Sequence, residues 1–187
     1  MTASAREMWL LAFYRNSELH GALLMGRLAR SYDDASLAAH LTRHCATEAR
    51  HAAMLTDALA ALGGRIDLET GTIQGRYGEA GGIPTELADL LALSEILEKR
   101  VLASYRDHLA RRDVSPIARQ TLEAIVSEME REEDGTDPHA GWIDQALDRM
   151  PPEAVAAAKE RWQGVDAQVA AGLLQWLDER FAAESRS

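Results

Sequence analysis

Apolar residues recur at three- and four-residue steps along most of the chain, a spacing that is typical of amphipathic helices. The pattern therefore predicts an all-α protein. Its helical segments are expected at about 4–30, 35–62, 84–112, 116–149 with an interruption, and 152–184.

Two short turns join the first four segments into two helical hairpins. One runs from Ser31 to Asp34 and supplies an N-cap for the second helix. The other contains Ser115 as an N-cap and Pro116 at the first helical position, an arrangement typical of helix starts. Because such short connections make consecutive helices antiparallel neighbours, we expect an antiparallel four-helix bundle.

The stretch from 63 to 84 separates the two hairpins. It is rich in glycine and has little periodic apolar signal, so we expect a long loop that crosses between the second and third helices. Its glycines do not form a phosphate-binding signature, because no strand precedes them and no Gly-Lys-Ser follows.

The last helix, at about 152–184, carries a wide apolar stripe that includes Trp162 and Trp176. Aromatic residues at helical spacing are usually packing residues. We expect this helix to cover the bundle or to form a subunit interface, as in a homodimer, and to contribute no metal ligand.

Length and composition favour one folded domain over residues 1–187, with the bundle at about 6–149. The net charge of -10 disfavours binding to the phosphate backbone of nucleic acids. Cys45 is the only cysteine, which excludes a disulfide within the chain and fits a reducing cytoplasm. The apolar run 8–13 is too short to span a membrane and lacks a signal-peptide layout, so we expect a cytoplasmic protein.

The second helix contains a Glu-x-x-His sequence, formed by Glu48 and His51. Residues three apart project from one face of a helix, so both side chains can reach the same metal ion. They share an apolar stripe with Leu41 and Leu55, which directs them toward the core. A charge buried there needs an ionic partner, hydrogen bonds or a metal.

Glu18 is predicted to lie opposite Glu48. About thirteen residues separate each glutamate from the turn between their helices, so at ~1.5 Å per residue both lie at the same depth. In the third helix, Glu98 occupies the same kind of position in the middle of an apolar stripe. Glu95 is an alternative near the same face, and helix geometry favours Glu98 over it.

The fourth helix has a group of glutamates at the depth expected for a partner of Glu98: Glu128, Glu130, Glu132 and Glu133. A run of charged residues is usually a solvated face, so at least two of them should face solvent. Glu128 and Glu132, one turn apart, are best placed to point inward.

Residues 134–138 interrupt the fourth helix, and His139 follows at the start of the resumed helix. Helix breaks occur near metal sites, so the break can bring His139 inward; an exposed position at a helix N-terminus is the alternative. If His139 binds a metal, its partner should be Glu132, at ~10 Å along a helix, rather than Glu128 at ~16 Å.

This set of residues resembles the ligand pattern of the ferritin-like di-iron carboxylate proteins. It consists of glutamates on three helices, the Glu-x-x-His of the second helix, and an acidic cluster followed by His139. The resemblance covers about residues 6–149. It implies a ferritin-like antiparallel four-helix bundle with a long crossover between helices 2 and 3, an additional C-terminal helix, and two iron ions as cofactors.

The resemblance implies these ligand roles: Glu18 and His51 on one iron, Glu48 bridging both irons, and Glu98 on the second iron. The fourth helix departs from the family pattern. A regular Glu-x-x-His that ends at His139 would need a glutamate at position 136, where Thr136 stands. Either residues are inserted before His139, or carboxylates alone hold the second iron, or the second site is degenerate.

Iron, with manganese as the alternative, suits a mixed set of carboxylate and histidine ligands. The resemblance implies an oxidoreductase that activates dioxygen, as an oxidase or monooxygenase acting on a small molecule. A ferroxidase or a ferritin-like protein that scavenges peroxide is one alternative; a rubredoxin-type peroxidase is excluded because a single cysteine cannot form a four-cysteine iron site. A metal-free helical interaction module, in which Glu48 and His51 only hydrogen-bond, is another.

Overall fold

Helices make up all the regular structure of residues 3–133 and 141–182, the part of the chain that the computed structural model describes. This confirms the prediction of an all-α protein. The helices are α1 (Ala5–Ala29), α2 (Ala35–Ala61), α3 (Ile73–Gly81), α4 (Leu87–Ala110), α5 (Pro116–Glu133), α6 (Trp142–Leu147) and α7 (Pro152–Arg180), with a 3₁₀ turn at Leu68–Thr70.

Helices α2 and α5 begin where the sequence places capping residues. Asp34 accepts hydrogen bonds from the backbone N–H groups of Ser36 and Leu37 at 2.8 and 3.0 Å, which satisfies two donors at the start of α2. The Ser115 hydroxyl accepts from the N–H of Ala118 at the start of α5. The two turns predicted between consecutive helices are therefore confirmed.

The connection between α2 and α4 corrects the sequence prediction, because α3 forms within the expected loop. The Thr72 hydroxyl caps α3 by accepting from the Gly75 N–H at 3.0 Å. Ile73 and Tyr77, four residues apart, are buried on one face, where α3 packs against α1 and α7. This packing outweighs the low helix propensity of glycine, which had suggested a loop.

Glycine at the end of α3 also has a packing role. A side chain at Gly81 would press against Trp162 of α7, whose nearest ring atom would lie 2.7 Å from the added Cβ. Trp162 is fully buried and donates a hydrogen bond from its indole N–H to Asp89 at 2.9 Å. The close contact that Gly81 permits therefore fixes α7 against α3 and α4.

The helices pack as two hairpins with α7 laid over one side. α1 lies along α2, α4 contacts α5, and α5 also contacts α2. α7 packs against α3 and α4, as expected for a covering helix. Aromatic rings of Trp9, Phe13 and Trp176 join α1 to α7 at one end of the core.

None of the helices in the described part of the chain combines the length and the apolar character needed to cross a lipid bilayer. Helices α1, α2, α4 and α5 each carry a glutamate that contributes to one group of acidic and histidine side chains inside the protein. That meeting point is the candidate site.

Candidate metal centre

Acidic and histidine side chains from four helices converge inside the protein. We call this group the interior cluster: Glu18 of α1, His44, Glu48 and His51 of α2, Glu98 of α4, and Glu128 of α5. Glu18, His44 and His51 are all buried. Charged groups are rarely buried in such number without ionic partners or a metal.

Glu48 lies against the backbone of α1. A Cβ atom added at Gly21 would collide with the carboxylate of Glu48, so the absence of a side chain there makes room for it. Because Gly21 is one turn from Glu18, the two glutamates lie at the same depth, as the sequence predicted. Glu48 Oε2 is buried and has no hydrogen-bond partner among the described residues.

His44 stands between two carboxylates. Its Nε2 atom is 3.0 Å from Glu98 Oε1 and 3.3 Å from Glu48 Oε1. Each of these three residues offers a ligand atom, and the atoms lie within 4.8 Å of one another, close enough to share one metal ion. The contact brings together α2 and α4, which are not consecutive along the chain.

His51 uses both of its ring nitrogens. Nδ1 lies 3.4 Å from Glu18 Oε2, and Nε2 lies 3.2 Å from Glu128 Oε2. The guanidinium of Arg50 donates to both oxygens of Glu128, and the hydroxyl of Tyr105 donates to Glu18. Each carboxylate that faces His51 is thus held in place by another side chain.

Burial and the charges within the interior cluster shift the pKa values of its members. Burial raises the pKa of Glu48 to about 8, with His44 opposing that rise and the Glu18 charge adding to it. Burial lowers the pKa of His44, but Glu98 and Glu48 more than offset this effect, and the pKa lies well above its ordinary value. Without a bound cation, protons must therefore compensate the crowded carboxylates.

Two glutamates that the sequence offered as alternatives lie elsewhere. Glu95 pairs with Lys99 and Lys159 at 2.6 and 2.7 Å. Glu130 pairs with Arg106 at 2.9 Å. Both make ion pairs away from the interior cluster, which instead contains Glu98 of α4 and Glu128 of α5.

Two predicted ligands, Glu132 and His139, fall partly or wholly outside the described residues. The backbone of Glu132 belongs to α5, but its side chain lies outside the described residues. His139 lies outside them as well. Their proposed pairing stays a prediction.

His44 was missed as a candidate ligand, although the sequence contains a signal for it. It lies four residues before Glu48 on the same apolar stripe, so both side chains occupy one helix face. The role of Arg50 carried no such signal, because its contact with Glu128 depends on how α2 packs against α5.

A cavity of about 620 Å³ opens beside the interior cluster. Five residues of the cluster line it: Glu18, His44, Glu48, His51 and Glu98. A volume of this order suits a small-molecule ligand. The acidic groups can therefore meet a molecule that enters from outside.

The residues fit a metal such as iron or manganese. Carboxylates and imidazoles together form the ligand set of these ions, and the unpaired Glu48 Oε2 is an available donor. A cation would also replace the protons that otherwise balance the carboxylates. Comparison with known proteins adds no assignment, because no protein-family model and no curated protein matches the chain.

Proposed function

We propose that the interior cluster binds two iron ions, and that the protein is a ferritin-like di-iron oxidoreductase which uses dioxygen to oxidise a small molecule. The observation that carries this proposal is the convergence of four carboxylates and two histidines from four helices beside a cavity. Di-iron carboxylate proteins of the helix-bundle type place their ligands in this way.

The contacts suggest which residues hold each ion. Glu18 and His51 would bind one ion, and Glu98 and His44 the other, with Glu48 reaching both. His44 would then supply the nitrogen ligand of the second ion. That role does not require a histidine on the fourth helix, where the sequence departs from the regular Glu-x-x-His pattern.

Glu128 has a different role in this proposal. Metal-binding histidines commonly donate their second ring N–H to a carboxylate, which fixes the ring and its tautomer. Glu128 Oε2 lies 3.2 Å from Nε2 of His51, and the Arg50 guanidinium holds Glu128 from the other side. Glu128 would thus orient His51 with Nδ1 facing Glu18 and the metal.

Tyr105 orients the second partner of His51. Its buried hydroxyl donates to Glu18, and burial, together with the Glu18 charge, raises the tyrosine pKa well above its ordinary value. The phenol therefore keeps its proton and leaves the other oxygen of Glu18, which faces His51, available to a metal.

Bound iron would supply the electrons and the open coordination positions that dioxygen needs. In a monooxygenase, one oxygen atom enters a C–H bond of the substrate and the other leaves as water. That balance requires two electrons and two protons from an external reductant. The cavity favours a reaction on an organic molecule over the oxidation of iron alone, which needs no such space.

Anaerobic loading with Fe(II), removal of unbound iron and exposure to dioxygen test the proposal. An oxidase or monooxygenase should consume oxygen once, to oxidise its bound iron. An oxidase should then turn over only with a substrate, which supplies the electrons, and a monooxygenase only with a substrate and a reductant. Continued oxygen uptake with each further addition of Fe(II) would favour a ferroxidase. A protein that does not retain iron would contradict the proposal and favour the metal-free helical interaction module.

A further inference from the structure

The cavity beside the interior cluster is walled mainly by apolar groups. Two helices supply most of this wall: Leu24, Met25 and Leu28 from α1, and Leu93, Leu97 and Val101 from α4. Protein interiors rarely leave voids much larger than a water molecule, so an apolar space of this size needs an explanation.

Glycines of α3 keep one side of the cavity open. Gly75 and Gly78 of α3 line it, as does Gly82 directly after the helix, and a Cβ atom added at Gly78 would meet no atom within 4 Å. Gly81, on the side of α3 that faces α7, is different because Trp162 leaves no space beside it. Close helix packing therefore explains why position 81 is a glycine. It does not explain the glycine at position 78, because Gly78 borders empty space.

Charge is unevenly distributed along the cavity. The interior cluster places several carboxylates at one part of the wall. Among the described residues that line the cavity, Arg27 is the only arginine or lysine, and its side chain is exposed. An anion inside would find no buried arginine or lysine to pair with, whereas an uncharged molecule needs no such partner.

We propose that this cavity binds an uncharged, mostly apolar small molecule and holds one end of it against the interior cluster. A volume of about 620 Å³ lies in the range of pockets that bury small organic ligands. The apolar walls supply the binding energy through burial, and the space beside Gly78 admits the body of the molecule. The identity of this molecule as a substrate rests on the proposed function, whereas its binding does not.

Two fluorescent probes with the same aromatic skeleton test the proposal. N-phenyl-1-naphthylamine is uncharged, and 1-anilinonaphthalene-8-sulfonate adds a sulfonate. The wild-type protein should bind the uncharged probe about tenfold more tightly, because the cavity would bury the sulfonate without an arginine or lysine partner. Equal or tighter binding of the sulfonate would overturn the inferred ligand class.

Filling the cavity should remove binding of the uncharged probe. Gly78→Leu places a side chain in the empty space and should weaken binding by about tenfold or more. Gly172→Leu is the matched control, because Gly172 also lies within a helix and borders open space, but on α7 outside the cavity. Loss of binding in both variants, or in neither, would contradict the proposal.

A second variant on the facing wall protects the test against a folding defect. Leu97→Phe enlarges a cavity-lining residue of α4 and should weaken probe binding in the same direction as Gly78→Leu. Circular dichroism and thermal unfolding establish that each variant is folded. A folded Leu97→Phe protein with unchanged probe binding would count against the proposal even if Gly78→Leu does not fold.

Iron content, measured on the same variants, separates this inference from the proposed function. Gly78→Leu should retain the iron content of the wild type while it loses the probe. Iron binding by a wild-type protein that does not bind the probe would overturn the cavity inference alone. Sedimentation measures the oligomeric state with and without the probe. If dimer formation excludes the probe, the cavity is occupied by a second copy of the chain and the inference is overturned.

Discussion

Two groups of buried glutamate and histidine occur in the described part of the protein, and they differ in what surrounds them. One is the interior cluster. The other, which we call the Glu7 group, contains Glu7, His108 and Ser115: Glu7 Oε1 accepts the Ser115 N–H at 2.9 Å and lies 3.7 Å from His108 Nε2. It ties α1 to the start of α5 and to the end of α4.

The Glu7 group has one carboxylate, whereas the interior cluster has four. Burial and the nearby Arg111 charge lower the pKa of His108 to about 4, so this histidine is neutral near pH 7. The pKa of His44 is raised instead, because carboxylates surround it. The space beside Glu7 is too small for a water molecule, in contrast to the cavity of about 620 Å³.

An unpaired oxygen does not distinguish the two groups, since Glu7 Oε2 and Glu48 Oε2 both lack a hydrogen-bond partner among the described residues. The number of carboxylates and access to a cavity do distinguish them. A buried glutamate beside a histidine is therefore weak evidence for a metal site, and an excess of buried carboxylates beside an open space is stronger evidence.

The largest difference between the two groups should appear in iron binding. Glu48→Ala should bind neither iron ion, because in the proposed site the Glu48 carboxylate would bind both ions. Glu7→Ala should keep them and lose about 1–3 kcal/mol of unfolding free energy, because the buried Ser115 N–H loses its acceptor. Iron analysis after desalting and urea denaturation measure the two effects.

The outcome for these variants can also contradict the comparison. Full iron occupancy in Glu48→Ala would remove Glu48 from the site. Loss of iron in folded Glu7→Ala would mean that the Glu7 group holds metal or supports it from a distance.

A smaller effect on iron affinity is expected at Glu128. Glu128→Ala should weaken iron binding about 10–100-fold, the usual cost of removing a carboxylate that orients a metal-binding histidine. The number of ions bound at saturation should stay at two. A saturated variant with one ion per chain would instead make Glu128 a direct ligand, as the sequence had suggested.

Substitution at Gly21 should have a milder effect again. The added methyl group of Gly21→Ala must displace the Glu48 carboxylate, which can move because its side chain is flexible, so we expect about a tenfold loss of iron affinity. Gly26→Ala is the matched control on α1, since its Cβ would lie 3.3 Å from Cys45 Sγ and touch no ligand. Equal affinities in both variants would show that the position of Glu48 is not critical.

One expected effect that does not involve iron is the pH dependence of stability in the metal-free protein. The folded pKa of Glu48, about 8, lies above its ordinary value of 4.5, so its contribution to stability is lost as pH rises between these values. The folded pKa of His108, about 4, lies below 6.5, so its contribution is lost as pH falls from 6.5 toward 4.

Glu48→Gln should therefore flatten the decline above pH 4.5, and His108→Gln should flatten the decline below pH 6.5. At about 1.4 kcal/mol per pKa unit, each change should amount to a few kcal/mol, read from urea denaturation at several pH values. If Glu48→Gln leaves the curve unchanged, the carboxylates do not crowd one another as the structure indicates.

Local sequence signals were sufficient for most helices of this protein. Ser115 followed by Pro116 fixes the start of α5, and apolar periodicity gives the bounds of α1 and α2 to within about one residue. α3 was missed because its glycines have low helix propensity. It forms because Ile73 and Tyr77 bury one face against other helices, a tertiary effect that no local window contains.

The candidate site shows the same division between local and tertiary information. Glu48 and His51 were recognised because residues three apart on a helix share a face. Glu18 followed from matching depths along a hairpin. The contact of His44 with Glu98 and the Arg50 pair with Glu128 both depend on helices that are distant in sequence, so spacing alone could not predict them.

The most direct test of a two-iron site is diffraction from iron-loaded crystals at the iron absorption edge. The proposal predicts two anomalous peaks inside the bundle: one beside Glu18 and His51, and one beside Glu98 and His44, with Glu48 reaching both. Iron-loaded crystals without anomalous density at the interior cluster, or with density only at other sites, would contradict it.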